Sequence, residues 1–522
     1  MADGAGRAET AGSDRRAPLF ILSLLVVVSW SILLYRQSLS ILNEDVVWFL
    51  TAAGRLLDGG RFGADVVEVN TPIAVLIHAP AVLMTRWFGL SMAGGHMAAV
   101  TLMAAAVALL CGAMLRPHLG GRAVLWLGPL AQALFAAFML QIFQFGQRDC
   151  LAGLFLLPAI VLEAARAGRQ PPCRLGSIAT GLATALALGI KPHYLLVPGV
   201  LWLWRCGREG WGTALRAPDI WAAILFALLL GGGALLLCPE WLGVAAEAWR
   251  YYAYLNLSYG TLIADLMRER WPLLALSVLV LMGWWRLPKD ALFSPLLAAL
   301  LLAWPGLLAG YLLQAKGFAY HLVPFEMSVE LAALVIAIMI LRRGREPGVA
   351  VVVSIVLALA AGLMAWSARG PMQFFNADTM RRNEVVMTIL AEDRGGGMAV
   401  LDTGTMPAIY ATQFFGTRIA YRAQCPWLLR PMSRAALQGD AALKAAAQAD
   451  MASLTQGLVA DLAQFKPDVV LVNPAPQLAD GSSILGFLAR DAEFAALWSH
   501  YREIGQAPWG GKALVIYARA SR

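Results

Sequence analysis

Charge is what this chain has least of. Asp, Glu, Lys and Arg make up 14% of its 522 residues, against 59% hydrophobic residues. Ordinary soluble domains carry about 25% charged residues, so a soluble globular protein is excluded. The six cysteines, at 111, 150, 173, 206, 238 and 425, show no metal-type spacing, and five lie in or beside apolar runs. That argues against a zinc module and a disulfide framework alike. Neither a long repeat nor a low-complexity tract occurs, which removes solenoids and linker-rich chains. The net charge of +8 is scattered as arginines through short loops. Such arginines set membrane orientation, and no nucleic-acid partner is expected.

What remains is apolar runs of bilayer length, the mark of a polytopic α-helical membrane protein. Candidate spans are 18–36, 94–115, 123–143, 150–166, 175–190, 194–204, 218–238, 271–286, 291–313, 321–341 and 348–368. Residues 1–17 form a polar cytoplasmic tail with Arg7, Arg15 and Arg16, and the run after it is too long for a cleaved signal. Segment 72–90 decides the topology. If it lies in the interface, the inner loops hold Arg116 and Arg122; Arg166, Arg169 and Arg174; Arg205, Arg208 and Arg216; Arg286 and Lys289; and Arg342, Arg343 and Arg345. If it spans, those loops all face outward. The positive-inside rule selects the first arrangement: about eleven spans plus interfacial helices, with the N-terminus inside and the C-terminus outside.

The expected transmembrane domain is 18–368, with outer loops at 37–71 and 239–270. In the first loop Asn43 caps a helix from about Glu44 to Leu57, ended by Gly59-Gly60. The second carries Trp249, Tyr251, Tyr252, Tyr254 and Tyr259, suiting helices at headgroup level. From 369 to 522 the apolar 20-mers stop, and a small extracytoplasmic α/β domain is expected. Its strands are Met398–Leu401, Asp468–Val472 and Lys512–Tyr517, with Ala-rich helix across 434–465.

On this topology five polar motifs end apolar runs on the outer side. Glu44-Asp45 opens a helix, where acids favour the dipole, but it also stands where a general base would. Asp45 is the preferred base and Glu44 the alternate. In Glu68-Val69-Asn70-Thr71-Pro72, Asn70 or Thr71 suits a helix cap before Pro72. Glu68 has no such structural need and is read as a contact to acceptor or metal. Gly146-Gln147-Arg148-Asp149 is either a polar turn with a local ion pair or a phosphate clamp, in which Arg148 binds oxygens in a bidentate way. Asp149 would then orient Arg148 or meet the acceptor. Lys191-Pro192-His193-Tyr194 joins two helices too short for easy snorkelling. Gln314, Lys316, Tyr320 and His321 form the last motif, with Lys316 divided between snorkelling and function, and His321 between a structural hydrogen bond and a role in binding.

Cations at headgroup depth beside a carboxylate suit one chemistry. A sugar leaving a polyprenyl phosphate places charge on the phosphate, which nearby cations stabilise, while a carboxylate activates the acceptor hydroxyl. On these residues the chain resembles the GT-C superfamily of membrane glycosyltransferases that use polyprenyl-phosphate sugars. The branch most similar holds the protein O-mannosyltransferases and the lipid A aminoarabinose transferase. The resemblance rests on Glu44-Asp45, the stretch Ala64-Asp65 through Thr71-Pro72, Arg148-Asp149 and Lys191-Pro192, and runs over about 18–340. The chain departs from that branch at Thr71-Pro72, where a double proline is usual.

The resemblance implies Asp45 as base, Asp149 as an assisting acid and Lys191 on the lipid phosphate, in an inverting reaction. It further implies a multi-pass inner-membrane enzyme of cell-envelope polysaccharide or lipid assembly, with the C-terminal domain periplasmic. The donor is a polyprenyl-phosphate-linked sugar and the acceptor a glycan, lipid or protein; Gln147, Arg148, Lys191, His193, Gln314, Lys316, Tyr320 and His321 serve substrate binding with Glu68 and Asn70. Members of the superfamily differ in needing a divalent metal, and the sequence offers no ligand set beyond the carboxylates. Rival readings are a transporter or flippase of lipid-linked glycan, a polymerase or ligase using pyrophosphate-linked oligosaccharide, and a structural assembly protein. One-sided polar motifs without an inverted repeat count against transport.

Overall fold

In a computed structural model of the chain, the described residues are 40–119, 142–168, 173–287, 293–341 and 376–520, with isolated positions at 24, 28, 31, 35 and 289. The expected spans at 18–36, 123–143 and 348–368 lie wholly or largely outside them. In chain order come α1 (Glu44–Leu57), α2 (Pro72–Leu76), α3 (Ala79–Phe88), α4 (Met92–Leu119), α5 (Arg148–Ala167), α6 (Arg174–Ile190), α7 (Leu196–Glu209) and α8 (Pro218–Leu237). They are followed by α9 (Trp241–Tyr252), α10 (Tyr259–Glu269), α11 (Trp271–Arg286), α12 (Phe293–Gln314) and α13 (Val323–Leu341). The C-terminal part holds α14 (Glu384–Glu392), β1 (Met398–Leu401), α15 (Leu429–Gln438), α16 (Ala441–Phe465), β2 (Val469–Val472), β3 (Tyr501–Trp509) and β4 (Lys512–Arg519). The fold is a helical membrane architecture with a small α/β part.

Among the described residues five helical stretches are long and apolar enough to cross a membrane: α4, α5, α8, α12 and Ala319–Met339, which contains most of α13. The 72–90 segment is broken at Ile77 and His78 into α2 and α3, of five and ten residues. Each is shorter than the roughly 20 residues that crossing takes.

The described residues fall into two compact units, one within Met1–Ser38, Met97–Gly233 and Leu257–Met372, the other within Leu39–His96, Ala234–Asn256 and Gln373–Arg522. In the first, α5 is central: 89% of its apolar window is buried, against 22% for α8. Small residues let these helices approach. A Cβ on Gly306 of α12 would stand 2.9 Å from the Leu196 carbonyl, and one on Gly181 of α6 would stand 2.6 Å from the Asp219 carbonyl oxygen. Close backbone packing of this kind is how helices associate where lipid removes the hydrophobic drive. At the end of α5 away from Asp149, Arg205 is fully buried. It donates to Glu163 and, in bidentate fashion, to Asp219 at 3.0 and 2.8 Å. The reading of Arg205 as a loop arginine that merely sets orientation is therefore incomplete: it is the cation of a buried cluster joining α5, α7 and α8.

In the second unit, β1 and β2 pair in parallel, with Met398 opposite Val469. β4 joins β2 antiparallel and β3 forms the edge, giving the order β1-β2-β4-β3. Both parallel strands are buried at every position, as their unbroken apolar sequence requires. The expected strands are present, and the structure adds β3, which pairs with β4 around Gly510 and Gly511. The expected 434–465 helix is two helices, because Asp440 caps α16 through a bond from the Leu443 N–H. Helix α1 has the expected bounds: Asn43 Oδ1 accepts from the Asp45 N–H at 2.9 Å, and Gly59, at φ 90°, turns the chain after it.

Candidate active site

In the first unit the site is built on the entry to α5. Gly146 adopts φ 69°, and Gln147 then caps the helix, its Oε1 accepting from the Asp149 N–H at 2.8 Å. This sets Arg148 and Asp149 in the first helical turn, both buried, where the helix dipole favours anions. Asp149 takes three hydrogen bonds. Lys191 Nζ donates to its two oxygens at 2.9 and 2.7 Å, and the Tyr194 hydroxyl donates at 2.6 Å. Lys191 also donates to Gln314 Oε1 at 3.0 Å, while Gln314 donates its own amide to the Gly310 carbonyl. The Lys191 ammonium lies 5.4 Å from the Tyr320 ring centre, a cation–π distance.

Lys191 and His193 occupy the apex between α6 and α7, and Lys316 the turn after α12. Ala315 and Gly317 take positive φ of 49° and 68°, and the Ala315 carbonyl accepts from the Leu257 N–H at 2.6 Å. Burial pushes Lys316 down to about 7, helped by the charges of Lys191 and Arg148. Burial and Lys191 likewise push His193 down to about 4, so it is neutral at neutral pH. His321 is buried with its ring 4.4 Å from that of Tyr320. Within the described residues, Gln147 Nε2, His193 Nε2 and His321 Nδ1 are buried without a hydrogen-bond partner. The structure thus gathers Gln147, Arg148, Asp149, Lys191, His193, Gln314, Lys316, Tyr320 and His321. Tyr194 joins them; its place in the Lys191-Pro192-His193-Tyr194 motif was the only signal for it.

The second unit holds Glu44, Asp45, Glu68 and Asn70. Glu44 Oε2 accepts from both the N–H and the hydroxyl of Thr405, each at 2.9 Å. Burial raises its proton affinity and Asp45 adds to this, while the donors of Thr405 and Met406 oppose it. Asp45 lies beside it, half-buried. Glu68 differs from the sequence reading, which gave it no structural need. It is buried, one oxygen accepting from Trp48 Nε1 at 2.7 Å and the other from the Asn70 N–H and amide at 2.9 and 2.6 Å. It ties the loop before α2 to α1. Thr71 caps α2, as one of the two caps expected. Among the described residues no group of three His, Cys, Asp or Glu is placed to hold a metal.

Comparison with known proteins adds the fold. No family model matches the chain, and no curated protein does. Solved structures do. A crystal structure of ArnT from Cupriavidus metallidurans bound to undecaprenyl phosphate aligns with TM-score 0.59 at 12% identity, over 96% of this chain and 98% of that one. The chain has the fold of ArnT. The apo state of ArnT aligns with TM-score 0.57, also at 12% identity, over 95% and 97% of the two chains. The likeness therefore runs over both the helical part and the C-terminal α/β part, in keeping with the fold class expected from the sequence.

Proposed function

We propose that the chain is an inverting membrane glycosyltransferase that moves a sugar from a polyprenyl-phosphate donor to a glycan, lipid or protein acceptor at the outer face of the inner membrane. The observation that carries this reading is the set of buried and half-buried cations around the N-terminus of α5. Arg148, Lys191 and Lys316 converge there with the helix dipole, and a phosphate is the ligand such a group suits. The ArnT fold supports it, since an ArnT structure is bound to undecaprenyl phosphate.

The transfer needs charge stabilisation and a base. Lys191 and Arg148 would hold the donor phosphate and stabilise the charge left as the glycosidic bond breaks. Gln147, His193 and His321 have polar ring or amide atoms without partners to offer it. Asp45 would take the proton from the acceptor hydroxyl as its oxygen attacks the anomeric carbon. Asp149, with both oxygens engaged by Lys191 and Tyr194, suits orientation of Lys191 better than proton transfer.

The test is transfer or slow hydrolysis by the full chain in lipid, using radiolabelled undecaprenyl-phosphate pentoses and hexoses, with Asp45→Asn alongside. Turnover of one donor, reduced by about a hundredfold or more in the variant, is the expected result. Donor binding without turnover, unaltered in the variant, would point to transport or to pyrophosphate-linked substrates instead.

A further inference from the structure

The C-terminal α/β segment grips α1 at both ends. At the N-terminal end Thr405 donates twice to Glu44, at 2.9 Å each, and the Leu42 N–H donates to Gln413 Oε1 at 3.2 Å. At the other end Arg55 donates to the carbonyls of Tyr421 at 2.6 Å and Ile419 at 2.5 Å. Thr405 belongs to the loop leaving β1, and that loop is itself braced. Asp402, its first residue, accepts from the Thr403 N–H at 2.6 Å, from Asn473 Nδ2 at 3.1 Å and from Gln477 Nε2. Asn473 follows directly on β2, so the brace ties together the carboxyl ends of two parallel strands, the edge at which open α/β sheets place their functional groups.

We propose that Thr405 is a positioning residue of the reaction: its N–H and hydroxyl hold the Glu44 carboxylate in place next to Asp45 and favour its anionic form, which the active state carries. This rests on the reading of Asp45 as base given above. It assigns the C-terminal segment a part in the chemistry. The reasoning is electrostatic. Two adjacent carboxylates resist joint ionisation, and burial adds to the resistance at Glu44. Charge-assisted bonds from Thr405 offset it in part. The other groups near Glu44 are Tyr410, Cys425 and, close to Cys425, Asp402. Burial raises Tyr410 and Cys425 well above their usual values, so both stay neutral through the working range, and the carboxylates carry the charge.

Thr405→Val deletes the hydroxyl bond and keeps size and N–H; Thr405→Ser keeps the bond. The rate of donor turnover is followed against pH with the undecaprenyl-phosphate sugar that the wild type uses. A bond to a charged group is worth enough to move the acid limb of the profile upward by about one to two pH units in Thr405→Val. Thr405→Ser should restore it. Glu44→Gln should lower the plateau, and adding Thr405→Val to it should move the limb no further, because the group whose ionisation Thr405 favours is then gone. A uniform loss in Thr405→Val with an unmoved limb would mean that Thr405 is only a tertiary anchor, and would overturn the proposal. So would failure of serine to restore the limb. If Asp45→Asn keeps full turnover, the base assignment itself falls; a dead Asp45→Asn with an unmoved Thr405→Val limb overturns the role of Thr405 alone. A readout without turnover is the infrared band of the protonated carboxyl that Glu44→Gln removes. Its titration should rise in Thr405→Val, and an unmoved titration refutes the bond's role.

Discussion

Replacing Asp149 with asparagine tests the centre of the cation cluster directly. Asp149 is fully buried, and Lys191 is only 9% exposed. The carboxylate takes both bonds from Lys191 and one from Tyr194. Asparagine keeps an acceptor for the Tyr194 hydroxyl but turns an amide toward the ammonium, setting donor against donor. Removing one partner of a buried ion pair costs about 3–5 kcal/mol, chiefly because the other charge is left uncompensated. The slight exposure of Lys191 puts the expected loss near the lower end, about 3 kcal/mol, or roughly a hundredfold in the folded-to-unfolded ratio. Membrane proteins rarely unfold reversibly, so the measurement is the half-life of the folded, monodisperse species at fixed temperature in detergent. Undecaprenyl phosphate should lengthen that half-life more in Asp149→Asn than in wild type, because its phosphate supplies the missing charge. The double variant Asp149→Asn/Lys191→Met should outlast Asp149→Asn, since it leaves no orphan charge. Equal half-lives for Asp149→Asn and wild type, or a double variant no better than the single, would refute the reasoning.

Two further outcomes follow from buried charge. Lys316, pushed down to about 7, is mostly neutral at pH 8 in the free protein, and a phosphate beside it would raise it again. Binding of undecaprenyl phosphate should therefore take up close to one proton at pH 8 and far fewer at pH 6, and affinity should fall as pH rises through 7. Calorimetry in buffers of different ionisation enthalpy measures the uptake, and a wild-type protein taking up none at pH 8, or as much in Lys316→Met, refutes this role. Arg205→Met leaves Glu163 and Asp219 buried together without their cation. It should cost about 3–5 kcal/mol, read as a shortened half-life at fixed temperature, and Glu163→Gln added to it should recover part of the loss.

Much of the fold was legible because its signals are local. Asn43, two acids in the next turn and Gly59 mark the bounds of α1 within a stretch of about one helix. The long apolar helices that fall on described residues were legible for a different reason: lipid tolerates no unsatisfied backbone, so long apolar runs have few alternatives to helix. Strand β3 escaped because it is an edge, with an alternation too mixed in its exposed positions to stand out before its partner was known. The break of the 72–90 segment at His78 escaped as well, since the surrounding apolar residues suit one helix or two.

The candidate site was legible in its members but not in its pairings, and the reason is physical. A polar residue at the end of an apolar run is conspicuous from composition, and so Asp149, Lys191 and Gln314 could be named from the sequence. Which of them touch depends on how helices pack, and contacts such as Lys191 with Asp149, 42 residues apart, leave no trace in local spacing. Thr405, 361 residues from Glu44, left less still. The same limit explains Glu68 and Arg205. Glu68 looked free of structural duty because its donors, Trp48 and Asn70, are ordinary residues in a sequence. Arg205 looked like one more orienting arginine, because a charge count does not see where a side chain points. Both are buried charges, and burial compels a partner. In a chain this poor in charge, a titratable residue is better asked first for its partner than for its loop. Glu44 shows the same rule in the other unit: its carboxylate is met by two donors of Thr405, which only the fold brings to it.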